Sequence, residues 1–187
     1  MTKEEILQYK RRYKNYDFKN KKADEDIILV VRQHWLVFLY EFLPYIIALI
    51  FLVVVHFVLQ EYGFVFFPAF NSDLAIFLEL VVGIVLWVLF FISWVDFYFD
   101  VWIVTTHRVV DIEQLGLFNR NVSELEHSKV QDVTTEIHGF LPTLLNFGYV
   151  YIQTAGKKGR FIFKNVPHPD KIRKLIVELQ KREDLRR

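Results

Sequence analysis

The sequence predicts an α-helical membrane hairpin followed by one small α+β domain. Three observations carry this. Two apolar segments, 35–59 and 74–95, are each long enough to cross a hydrocarbon layer about 30 Å thick, which takes roughly 20 residues of helix. From Phe97 the chain alternates apolar and polar residues and is rich in Val, Ile, Tyr and Thr, the pattern of half-buried strands. Near the end, Ile172, Leu175, Ile176 and Leu179 recur at helical spacing and give one apolar face.

The elements follow in order. Residues 1–34 read as a basic cytoplasmic leader. Its run from Lys10 to Lys22 carries seven basic residues and one acid. Such a run enforces orientation in the membrane, contacts anionic lipid, or does both. These 34 mostly polar residues precede the first apolar core, so the first helix is expected to be an uncleaved anchor and not a signal peptide. Neither apolar segment shows the polar stripe of a soluble surface helix. In lipid the backbone must satisfy its own hydrogen bonds, which favours helix despite many β-branched residues. Glu41, His56 and Glu79 interrupt the two segments. Each lies near a segment end, where an interface tolerates it; the alternative is a proton or ion pathway.

Orientation follows from basic residues near the helix ends. The leader holds nine Lys and Arg, the loop 60–73 holds none, and the other fourteen follow Val95. Both termini are therefore expected on the cytoplasmic side of the cell membrane, with the aromatic-rich loop 60–73 outside. The domain, 97–184, begins with no Gly, Pro or polar spacer after the second helix. A turn at Gly116 and Asn119, further strands to Ile137, and a loop containing Gly139, Pro142 and Gly148 come next. That loop is apolar, so it is expected to pack on the domain or to touch the membrane. A β-hairpin around the basic tip at 155–160 precedes the last helix, where Pro169 suits the first turn and Asp170 its positive end.

Four strings then align in order: TTHRVV at 105–110, KVQDV at 129–133, NFGYVYIQTAG at 146–156 and NVPHPDKI at 165–172. Following a two-helix hairpin, they resemble the bacterial membrane-anchored PH-like (pleckstrin-homology-like) domain family. Its pattern is matched by Thr105 and Arg108, by Lys129, Val130, Gln131 and Val133, by Phe147, Gly148 and Val150, and by Pro169. The resemblance covers about residues 26–180. It implies a bent antiparallel sheet or partial barrel capped by the C-terminal helix, and it implies a fold and a location more than an activity.

Composition excludes several functions. With no cysteine among 187 residues, disulfides, zinc thiolates and thiol nucleophiles are out. A net charge of +1 gives no global signal for nucleic acid. The six histidines have no metal-ligand spacing, and the segment AGKKGR lacks the spacing and following helix of a phosphate loop. No catalytic set, metal or cofactor is expected. The acid pairs Asp111/Glu113 and Glu124/Glu126 sit at alternate strand positions, as on a solvated face. Two basic features remain as contacts for anionic headgroups or a partner: the tip residues Lys157, Lys158 and Arg160, and Arg108, whose other reading is a structural arginine in a turn. The expected function is a non-enzymatic binding or scaffold module at the inner leaflet, with a protein partner, a second copy or anionic lipid. The alternative is a small accessory subunit of a transport or export system.

Overall fold

The structure is a computed structural model and describes residues 25–66, 71–154 and 159–185. The basic run of the leader and the tip residues Lys157 and Lys158 lie outside these. The chain divides into two units, 35–97 and the remainder.

The first unit is a pair of long helices, α1 (Trp35–Phe66) and α2 (Ser72–Phe99). Both are long and apolar enough to cross a membrane, and their surfaces are lined with exposed Leu, Ile, Val and Phe. They run on past the apolar segments in the sequence, because helix does not stop where hydropathy falls. Their pairing is antiparallel. Tyr45 Oη lies 2.8 Å from Ser93 Oγ, Phe42 meets Phe90 edge-on at 4.9 Å, and His56 meets Glu79. Asn71 caps α2, its Oδ1 accepting from the backbone N–H of Asp73 and Leu74.

The second unit holds two antiparallel sheets. One is ordered β1 (Ile27–Val31), β2 (Val101–Thr105), β3 (Arg108–Leu115) and β4 (Asn119–Glu126). The other is β5 (Val130–Glu136), β6 (Phe147–Thr154) and β7 (Arg160–Pro167). The short helix α3 (Phe140–Leu145) joins β5 to β6, and α4 (Pro169–Asp184) ends the fold. The sheets are not closed into a barrel. The core lies between them: Ile28, Trp102, Val104 and Val109 face Val150, Ile152 and Phe163, with Trp102 stacked on Phe163 at 5.4 Å. Ile172, Leu175, Ile176 and Leu179 of α4 seal it, all under about a tenth exposed, with the partly buried Val177 beside them.

Two features depart from the sequence reading. The leader was expected to run to residue 34, yet Ile27–Val31 forms β1 and pairs with β2, Val31 opposite Trp102. Its sequence, IILVV, is strongly β-forming, but it abuts an apolar helix that hides its period. Alternation also fails in β2, which is buried at all five positions. Its second face joins Ile27, Ile103, Val110 and Ile112 in a smaller cluster, so the strand is a continuous apolar run, as two-sided burial requires.

Gly148 explains part of the family pattern. A Cβ there would collide with the Glu136 carbonyl oxygen, so the start of β6 can approach β5 only without a side chain.

Candidate functional site

Arg108 opens β3, and strand pairing surrounds it with carboxylates. Its Nε and Nη2 donate to the two oxygens of Glu25, at 2.9 and 2.8 Å, and its Nη1 donates to Glu124. Glu25 is fully buried by its neighbours, and Arg108 is 7% exposed. Thr105 completes the node. Its Oγ1 lies 2.7 Å from Glu25 Oε1 and 2.8 Å from the Arg108 carbonyl, and its single proton serves one of them at a time. The same oxygen accepts from the Arg108 N–H at 3.0 Å. One cluster thus ties residue 25 ahead of β1, the end of β2, the start of β3 and the middle of β4. The hydrogen bond from Glu25, then its charge, raise the Arg108 pKa, and burial opposes them. A guanidinium bound in a fork to one carboxylate and capped by another has its charge neutralised inside the fold.

His127 lies beside this node in a one-turn 3-10 segment, His127–Lys129, and is fully buried. Its Nε2 donates to the Thr105 carbonyl at 2.9 Å, which fixes the proton on that nitrogen. Nδ1 is buried with no described partner. Burial pushes this histidine below its ordinary pKa, against the raising effect of the Thr105 bond.

A second histidine marks the point where the domain's chain leaves for α1. His34 stacks on Phe147 at 4.6 Å, and its backbone N–H donates to the Asn165 carbonyl at 2.8 Å. Burial, helped by His168, lowers its pKa. The three non-glycine residues with positive φ among the described residues, Asn146, Asn165 and His168, gather here, and the Asn146 carbonyl accepts from the His168 N–H at 2.8 Å. Asn and His tolerate the left-handed region better than bulkier residues.

The remaining sequence candidates scatter. Arg160 is exposed at the start of β7, paired with Gln153 in register. In the helix pair, His56 Nδ1 lies 2.7 Å from Glu79 Oε2, and both line an apolar groove of about 550 Å³ with Leu52, Gly83 and Trp87. Glu41 is exposed nearly two turns into α1 and is not part of that pair. Among the described residues no group of His, Asp and Glu could hold a metal ion. Glu113 pairs with Lys164 at 3.3 Å.

Sequence reasoning missed Glu25. Nothing in spacing links it to Arg108, 83 positions on and across the whole apolar hairpin. It also missed the exposed apolar tips. Phe118, between β3 and β4, is 94% exposed, and Phe140 in α3 is 80% exposed. The apolar loop containing Gly139, Pro142 and Gly148 was expected to pack on the domain or touch the membrane; it holds the helix α3, whose Phe140, Leu141 and Leu144 are exposed.

Two open antiparallel sheets around one core, sealed by a C-terminal helix, define a PH-like domain. The class is a carrier of such a domain with two long apolar helices inserted between its first and second strands. The chain belongs to the bacterial PH domain family, whose model matches residues 27–180. The match begins at β1 and runs through both helices, so the early strand is part of the family unit. The chain is also similar to a solved structure described as a DUF1696 family protein with a pleckstrin-homology domain, from Shewanella loihica PV-4. Identity is 14%, the TM-score is 0.37, and the likeness covers 43% of this chain and 70% of that one. A comparison with curated proteins finds no match.

Proposed function

We propose that this chain holds a PH-like binding module at the cytoplasmic face of the cell membrane and acts by recruitment, without catalysing a reaction. The observation that carries this reading is how little chain separates the domain from the apolar helices. Asp100 alone lies between α2 and β2, and residues 32–34 alone lie between β1 and α1. Neither join is a free linker. Asp100 Oδ1 accepts from the Gln114 N–H at 2.8 Å, and the Arg32 guanidinium lies 4.8 Å over the Tyr98 ring. With the helices in a bilayer, the module would stay within a few ångströms of one leaflet. The absence of Lys and Arg from 60–73 supports the cytoplasmic side.

Tethering of this kind raises the local concentration of weak binding surfaces, so modest contacts suffice. Two surfaces are available. Strand β4 pairs with β3 on one side, and no described strand pairs with its other side. Six of its eight positions are exposed. Such an edge accepts an extended peptide by strand addition. The basic residues Lys157, Lys158 and Arg160 would attract an acidic partner; Arg160 pairs with Gln153 at the end of the domain that holds the 3-10 segment, away from its joins to the helices. Arg108 is set aside as a contact, since two carboxylates already hold it. The test is a photoreactive residue placed at Asn121 on β4, and another at Arg160, in the full chain in native membranes. Discrete protein adducts at Asn121 or at Arg160 are expected. If neither site gives an adduct above that of an apolar site in α2, the binding reading is wrong.

One observation favours a second reading, an accessory subunit of a transport or export system. The His56–Glu79 pair faces an apolar groove where an unpaired charge would be costly. Two helices enclose no pore, so this reading requires oligomers. Cysteine cross-linking along α2 in native membranes that yields only monomer contradicts it.

A further inference from the structure

The two most exposed apolar loops of the domain lie at one end of it, the end where its chain enters and leaves. Register shows this for the first loop. Val101 at the start of β2 pairs with Ile112, and Asp100 binds the backbone of Gln114. Beyond that level β3 and β4 continue to the pair Leu115–Asn119, with Gly116, Leu117 and Phe118 at the tip. At about 3.3 Å per residue, the tip projects on the order of 7 Å past the entry point at Asp100. Val31, the last residue of β1, pairs with Trp102 at the same end.

Contacts show it for the second loop. His34, the last residue before α1, stacks on Phe147, which follows α3 by one residue. Its N–H bonds to Asn165, near the end of β7. Helix α3 therefore sits at the exit point, with Phe140, Leu141 and Leu144 on one exposed face. The opposite end of the domain, with the β2–β3 turn and the 3-10 segment, carries Glu126 and Lys129 paired at 3.1 Å, and toward it lies one exposed apolar residue that ends no loop, Leu185, just past α4.

Leu185 apart, the large apolar side chains that the domain leaves most open thus flank its two joins to the apolar helices. Exposed Arg32 and Arg120 lie at the same level, Arg120 pairing with Gln114. Apolar tips beside cations match a leaflet, with hydrocarbon below and anionic headgroups above. We propose that the β3–β4 tip and α3 are two prongs that insert into the inner leaflet, with a lipid bilayer as their partner. This rests on the membrane reading above and deepens it: the domain is docked end-on at two further points and does not swing on its tether. β4 would then run roughly along the membrane normal, with its open edge facing sideways to any partner.

The test uses the full chain in vesicles containing a phosphatidylglycerol fraction. The sequence has no cysteine, so single replacements Phe118→Cys, Leu144→Cys and Lys129→Cys can each carry an environment-sensitive fluorophore. Emission shifted to the blue at 118 and 144, and quenched there by a lipid-borne shallow quencher, is expected; 129 is expected to stay water-like. Water-like emission at 118 and 144 overturns the proposal. So does a blue shift that the lipid-borne quencher leaves untouched, which assigns the prongs to a second copy or a protein surface. Carbonate extraction of the same vesicles scores anchoring separately. A chain that is extracted fails the membrane reading itself, whereas a retained chain with water-like prongs fails only this inference. Because the fluorophore is itself apolar, unlabelled Phe118→Ser/Leu144→Ser is compared with the parent by hydrogen exchange at residues 139–146. Protection in vesicles that the double variant loses is expected, and equal exchange in both overturns the proposal.

Discussion

At the scale of the residue, Arg108 shows how a charged side chain can look like a binding site and serve the fold. Its fork to Glu25 is buried, so the pair holds together only while both partners are present. Arg108→Met should cost about 3–5 kcal/mol, because it strands the Glu25 carboxylate away from water. The double change Glu25→Met/Arg108→Met should recover much of that loss. Thermal unfolding of the detergent-solubilised chain measures both, and strictly additive losses would contradict a coupled pair. His127 gives a pH dependence with a definite sign. Burial lowers its folded pKa, so the unfolded chain binds the proton more readily. Its contribution is complete above the unfolded value of about 6.5 and is lost as pH falls below it, with a slope of at most about 1.4 kcal/mol per pH unit. The groups that act on it are Glu183, His107 and Glu25. In His127→Gln the fall in stability between pH 6.5 and 5 should be shallower than in the parent. An unchanged slope would remove His127 from the account. Thr105 and Arg108 were legible in the sequence as pattern positions; their partner Glu25 was not, since ion pairing over such a separation leaves no local trace.

At the scale of the element, the two helices and α4 were legible because length and period survive in one dimension. The helices need only apolar length, and α4 needs only its four-residue face. Strand β1 was not. Five apolar residues between a charged segment and an apolar helix carry no period of their own, and their partner β2 is read some 70 residues later. Helix α3 was legible as apolar but not as exposed, since composition does not say which side a six-residue helix turns outward. The place of β1 has a consequence for fragments. A chain beginning at residue 97 lacks β1 and Glu25, leaving the β2 edge open and Arg108 without its fork. Limited proteolysis should digest such a fragment readily, whereas the domain within the full chain should resist. Equal resistance would show that β1 is dispensable.

At the scale of the whole molecule, the domain is discontinuous in sequence. Its chain leaves after β1, forms the two apolar helices and returns at β2. The two joins meet: Arg32 lies over Tyr98, and Gln33 Nε2 reaches Asp100 Oδ2 at 3.5 Å. A fold threaded in this way ties domain folding to the helices, since β1 can pair with β2 only after both have been made. Membership of the bacterial PH domain family fits a binding module, and the family match spans the helices as well as the strands. The central claim is that these helices cross the cell membrane and leave the domain in the cytoplasm. The most direct measurement is thiol accessibility in intact cells, with Glu61→Cys near the end of α1 and Lys174→Cys on the exposed side of α4 in the cysteine-free chain. A membrane-impermeant reagent should label position 61 in intact cells and position 174 only after the cells are opened. Labelling of 174 in intact cells, or of neither until opening, would contradict the account.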